Sequence, residues 1–235
     1  MKRIPEPEEL MDEADQALAY AEADFSASNA LFIELFEQLY GNEFNALALD
    51  LGCGPADIPI RFAKRYPQAR IDALDGAQAM LDLAQKSIQN HGLEQRISLH
   101  CQYLPATDLQ GKYHALLSNS LLHHLNDPLD LWHSIRAAAG AEATVLVMDL
   151  LRPESPQRVS ELVREYAADA PEVLRRDFEA SLYAAYTLDE VREQLAAAGL
   201  HGLDVSQVSD RHLAVRGVIG ESLFPARSPR AEEDR

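Results

Sequence analysis

Two carboxylates, each followed by glycine, mark where chemistry is easiest to place in this 235-residue chain. Asp50 closes an apolar run and leads into Gly52-Cys53-Gly54-Pro55, and Asp75-Gly76 follows about one βα unit later. Glycines lack the Cβ that would hold a ligand away, and amides that open a helix favour an anionic or strongly polar group. Asp50 can accept from a ligand ammonium or from the loop's own amides. Asp75 stands at the spacing from which a carboxylate reaches a ribose diol, and it can also cap the helix after it. Further on come Asn119, His123 and His124, then Asp210-Arg211-His212. Imidazole titrates near neutral pH, so His123, His124 and His212 are the candidate catalytic bases. Paired histidines also suggest a metal. No cysteine or carboxylate cluster accompanies them, however, and neighbouring side chains diverge, so no metal site is expected. Arg211 suits bidentate contact with a substrate carboxylate, against the simpler reading of turn chemistry and a surface ion pair. Candidate substrate contacts are Tyr20, Phe25, Arg152, Tyr183 and Tyr186, with Tyr166 and Phe178 beside them; Tyr183 and Tyr186 lie one helical turn apart.

The elements that must position these residues follow from periodicity. Residues 46–51 are a short apolar run ended by glycines, which predicts a buried strand, and 58–66 carries helical spacing. Strands are predicted at 69–74, 97–101, 113–118 and 144–150, with helices at 77–90 and 130–139. Strand and helix in alternation give right-handed βαβ units and a parallel sheet covered on both faces. Residues 151–186 break this rhythm with two helices, 159–168 and 172–186, an insertion where lids and pockets are built. A capping box, Thr187 with Glu190, opens a helix to 198. Runs at 203–208 and 212–219 are joined by Ser209-Asp210-Arg211 and pair as an antiparallel hairpin. If 203–208 runs parallel to the other strands, residues 210–212 sit at the ligand edge. Before the first strand, 10–40 reads as two helices divided near 25–29, and residues 1–9 are expected to trail in solvent. The domain reading is a helical cap at 1–44, an α/β domain at 45–222 with its lid at 151–186, and a disordered tail at 223–235.

A formal net charge of −17 opposes a nucleic-acid partner, because phosphate binding needs a concentrated basic surface. Two cysteines are too few for a disulfide framework and point to the reducing cytoplasm. The acidic N-terminus is no signal peptide, and no run approaches the roughly 18 apolar residues of a membrane span.

With these motifs in order, the chain from Asn45 to Ile219 resembles the class I S-adenosylmethionine-dependent methyltransferases, in the small-molecule and quinone-biosynthesis type group. The resemblance rests on Asp50-Leu51-Gly52-Cys53-Gly54-Pro55, Asp75-Gly76, Leu121-Leu122-His123-His124-Leu125 and Met148-Asp149-Leu150. It implies a Rossmann-like, doubly wound sheet of seven strands, five parallel plus the C-terminal antiparallel hairpin. It also implies S-adenosylmethionine as cofactor, held by Asp50, Gly52, Cys53, Gly54, Asp75, Gly76, Gln102, Tyr103 and Asn119. The family tolerates a small residue at Cys53, which argues against a covalent role. After the third strand such proteins usually carry an acid for the adenine amino group; here Cys101-Gln102-Tyr103 stands instead, so Gln102 is assigned that contact through its carbonyl. A nicotinamide enzyme would need a third glycine where Asp57 stands. The expected reaction is methyl transfer by in-line displacement to a small molecule in an enclosed pocket, an anionic one if Arg211 meets its carboxylate. The alternatives are an RNA- or protein-modifying methyltransferase and a non-catalytic S-adenosylmethionine-binding protein.

Overall fold

The computed structural model describes residues 1–6, 14–106, 108–109 and 112–220; the expected tail at 223–235 and the start of the first expected helix lie outside them. Five apolar segments form parallel strands: β1 (Leu47–Leu51), β2 (Arg70–Asp75), β3 (Ile97–Cys101), β4 (Tyr113–Asn119) and β5 (Ala139–Leu150). Two more, β6 (Asp204–Gln207) and β7 (His212–Ile219), complete a seven-stranded sheet in the order β3-β2-β1-β4-β5-β7-β6. Only β7 runs antiparallel, so β6 points the same way as β1 to β5. The turn between β6 and β7 therefore emerges at the carboxyl edge, as the sequence implied.

Helices cover both faces, which is why the central strands are apolar along their length. On one face α5 (Leu129–Ala138) and α8 (Leu188–Ala197) bring Trp132, Ile135, Val191 and Leu195 against Leu49, Leu116 and Val145. The other face carries α2 (Ser26–Tyr40), α3 (Asp57–Arg65) and α4 (Gln78–Asn90), with Phe32, Phe36, Phe62 and Leu81 on Ala48, Ile71 and Leu117. Phe36, Phe44, Phe62 and Tyr66 interlock there with ring centroids 4.8 to 6.0 Å apart. Thus α2 is a layer of the sandwich, while α1 (Ala14–Glu22) rests on α4 through Ala17, Ala77 and Met80. In the insertion, α6 (Pro156–Tyr166) is capped by Ser155, and α7 (Glu172–Ala184) packs with it around Leu150, Val159 and Leu182. The Thr187–Glu190 capping box is present at the start of α8. No described helix is long and apolar enough to cross a membrane.

One expectation is overturned at the N-terminus: residues 1–6 are docked, not trailing. The Ile4 amide donates to Tyr183 O at 3.0 Å. Arg3 donates to Ala184 O (2.6 Å), His123 O (3.0 Å) and Leu125 O (3.3 Å), with its guanidinium 4.2 Å over the Tyr186 ring. The end of α7 and the turn after β4 leave carbonyls without helical or ladder partners, and Arg3 supplies a fork of donors for them.

Candidate functional site

The strand order reverses between β1 and β4, and the crevice at that switch point is where open α/β sheets bind ligands. β1 turns there through Gly52 (φ +74°) and Gly54 (φ +50°). The positive φ at Gly52 favours glycine, and a Cβ there, 2.7 Å from Leu121 Cδ1, would also have to displace that side chain. Gly52 N and Cys53 N donate to Leu74 O, each at 2.8 Å. Asp75 accepts from Gly54 N (2.8 Å) and Ala77 N (2.9 Å), so it braces the loop and the start of α4 together. Burial raises the Asp75 carboxyl in spite of these amide donors. Beneath the loop Asp50 is 1% exposed, and its Oδ1 has no partner among the described residues. Burial, reinforced by the charge of Asp75, pushes Asp50 up to about 8. A buried carboxylate oxygen without a donor fits a cationic ligand group, which is what the expected cofactor carries. Burial drives the Cys53 thiol well above its ordinary value, which disarms it as a nucleophile.

A cavity of about 1190 Å³ opens from this loop, large enough for a nucleoside-sized ligand together with a small second molecule. Asp50, Gly52, Cys53, Gly54, Asp75 and Gly76 line one end, with Gln102, Tyr103 and Asn119. Gln102 Nε2 donates to Asp108 at 2.8 Å. Asn119 Oδ1 is a second buried oxygen without a partner. Tyr20 and Phe25, in contact at 4.8 Å, also line the cavity. Burial raises the Tyr20 hydroxyl, so it stays protonated.

The three candidate histidines and Arg211 line the same cavity. His123 is buried with Nδ1 2.6 Å from Asp149 Oδ1. Asp149 is itself held by Leu122 N and Leu150 N, each at 2.7 Å. Burial opposes a charge on His123, but the facing carboxylate outweighs it and raises the imidazole. His124 Nδ1 is in short contact with Glu6 Oε2, and Glu6 Oε1 accepts from Ser181 Oγ at 2.6 Å. Burial would raise Glu6, yet the hydrogen bond and charge of His124 hold it down to about 2. The two imidazole rings lie 4.0 Å apart. Both grounds for dismissing a metal are therefore gone: the side chains converge, and two carboxylates join them from distant parts of the chain. Glu6, His123 and His124 place ligand atoms within 4.8 Å of one another.

His212 behaves differently. Ser209 Oγ accepts from Arg211 N and His212 N, so its proton goes to His212 Nδ1 at 2.8 Å, which places the ring's own N–H on Nε2. Burial, then Arg211, lowers His212 to about 4, so it is a neutral hydrogen-bond donor and a poor base. Arg211 lies 3.4 Å over the Tyr166 ring and donates to Asp210 Oδ1 at 3.1 Å, so its charge is already balanced within the cavity wall.

Three expected substrate contacts do not line the cavity. Arg152 is buried in an ion pair with Glu190 at 2.6 Å and donates to Ala185 O, because the carboxylate of the capping box lies across from it. Tyr183 packs into the α6–α7 cluster, and Tyr186 lies under Arg3. α7 ends at Ala184, so the two tyrosines share no helical face. Two residues that sequence reasoning left without a role belong to the site: Asp149, inside a quoted motif, and Glu6, which sits 118 residues from His124 with no local signal.

Residues 48–143 match a family described as a methyltransferase domain. A malonyl-[acyl-carrier protein] O-methyltransferase of Priestia megaterium is 28% identical over 108 residues, 46% of this chain and 37% of that protein. A ribosomal protein uL3 glutamine methyltransferase of Neisseria gonorrhoeae is 40% identical over 73 residues, 31% of this chain and 24% of that protein. The chain thus spans less than two fifths of the length of these curated relatives. Among solved structures, an Aquifex aeolicus SAM-dependent methyltransferase superposes with TM-score 0.64 at 16% identity, covering 88% of this chain and 98% of that one. The plantazolicin methyltransferase BamL, solved with a desmethyl substrate analogue and SAH, gives 0.67 at 13% identity, covering 86% and 91%.

Proposed function

We propose that the chain transfers the methyl group of S-adenosylmethionine to a small molecule held beside the histidines of the cavity; the match of residues 48–143 to a methyltransferase domain and the fold shared with a SAM-dependent methyltransferase support this. The observation that carries this reading is a shared cavity: an unpartnered, buried Asp50 under a glycine loop and two histidines that each have a carboxylate partner line the same space.

S-adenosylmethionine supplies a methyl group already activated on a positively charged sulfur. The remaining work is alignment and the exclusion of water, and it falls to this chain. The backbone of Gly52 to Gly54, braced by Asp75, forms the cradle, and Asp50 offers a carboxylate to positive charge. His123, held through Nδ1 by Asp149, keeps Nε2 for orienting the acceptor atom. Tyr20, Phe25 and Phe178 wall the cavity against water. The relatives are named for malonyl-[acyl-carrier protein] and a ribosomal protein glutamine. For this chain, α7 lines the acceptor end and is tied down by residues 1–6, which supports a small molecule over a protein side chain.

Calorimetric titration tests the reading. Both S-adenosylmethionine and its demethylated product should bind, and Asp75→Ala should weaken both at least tenfold by releasing the loop. No binding by the wild-type chain, or full affinity in Asp75→Ala, would overturn it.

A further inference from the structure

We propose that Glu6, His123 and His124 form a site for one divalent transition-metal ion in the cavity wall, on the side where the acceptor stands. Two imidazoles and a carboxylate are a donor set suited to zinc, iron, cobalt or nickel, and poorly suited to magnesium or calcium. What distinguishes this cluster from a chance meeting of polar groups is that the atoms not needed for a metal are already engaged. His123 is held through Nδ1 by Asp149, whose oxygens are fixed by two backbone amides, so its Nε2 is the free ligand atom. Glu6 is held through Oε1 by the Ser181 hydroxyl, which leaves Oε2 turned toward His124. Outer partners of this kind orient metal ligands and raise their basicity.

Distance agrees with that reading. One ligand atom from each of the three residues lies within 4.8 Å of the others, and ligands about 2.1 Å from a tetrahedral ion stand about 3.4 Å apart. The two imidazole rings, with centroids 4.0 Å apart, stand close enough to share one ion. Arg3 approaches the same turn, but its guanidinium is engaged by three backbone carbonyls.

His123 and His124 both line the cavity, so coordination positions beyond the three protein ligands face the acceptor. The ligand class that fits is a small molecule with a hydroxyl or carboxylate oxygen, which the ion would hold and polarise. This step refines the acceptor side of the proposed methyl transfer and rests on that reading only for its placement; the metal site itself does not.

The test is a titration of the untagged, chelator-treated full chain with cobalt(II), followed by visible absorption, with zinc(II) as competitor in calorimetry. S-adenosylmethionine affinity is measured separately on every variant. The expected result is about one equivalent bound, displaced by zinc, with Glu6→Gln and His124→Gln weakening binding at least 100-fold and Asp149→Asn about 10- to 100-fold. Glu6→Gln changes no atom of the sheet, so its retained cofactor affinity doubles as the folding control. Absence of cobalt binding in the wild-type chain, or equal binding in Glu6→Gln, overturns the metal site. Loss of S-adenosylmethionine binding by the wild type would instead overturn the methyl-transfer reading and leave the metal titration standing.

Discussion

At Asp50, burial converts an ordinary surface carboxylate into a group whose charge depends on what it holds. Its value in the folded chain is about 8 against an ordinary 3.8. The ligand-free protein is therefore favoured on this account at low pH and loses that contribution as pH rises toward about 8. A positively charged ligand favours the ionised form, so S-adenosylmethionine should bind more tightly as pH rises, by up to about tenfold per unit below 8, and level off above. Calorimetry across that range should show the slope in the wild type and a much flatter response in Asp50→Asn. Residue identity alone marked Asp50, Gly52 and Asp75, since a glycine turn between carboxylates is a local pattern. Burial and missing partners, which make Asp50 more than a cap, depend on the two strands that flank β1 and could not be read from it.

Among the elements, the N-terminal segment changes most between sequence and structure. Its prolines and acids read as solvent-exposed, because neither periodicity nor apolar content argues for docking. Arg3 docks it through three carbonyls and the Tyr186 ring, contacts that exist only once α7 and the turn after β4 are in place. Arg3→Ala should cost about 1–3 kcal/mol, speed hydrogen exchange at the Ile4 amide, and leave S-adenosylmethionine affinity within a few-fold of wild type. Loss of cofactor binding in Arg3→Ala would show that the segment supports the glycine loop as well. The same distinction explains the aromatics. Tyr20 and Phe25 reach the cavity, whereas Tyr183 and Tyr186 share a turn only if the helix continues, and α7 stops at Ala184. Arg152 was placed correctly past β5 in the chain, but Glu190 draws it into the interior and away from the ligand.

Across the whole molecule, the two faces of the sheet divide the labour. The carboxyl edge at the β1–β4 switch carries the cavity, while Trp132 between α5 and α8 anchors the core beneath it, with its indole N–H donated to Gln194 at 3.0 Å. Trp132→Ala should remove about 3–5 kcal/mol of stability in denaturant unfolding, and the protein that remains folded should keep its cofactor affinity. A coupled loss of affinity would mean that core packing sets the loop geometry.

The sequence by itself determined the order and type of the elements, the glycine loop with its two carboxylates, and the C-terminal hairpin. Each of these is set by periodicity or by a backbone conformation a few residues long. The tertiary structure alone decided which carboxylates meet the histidines. Asp149 reaches His123 across neighbouring strand ends, and Glu6 reaches His124 from 118 residues away. Such pairings depend on where distant segments dock, and no local pattern encodes them.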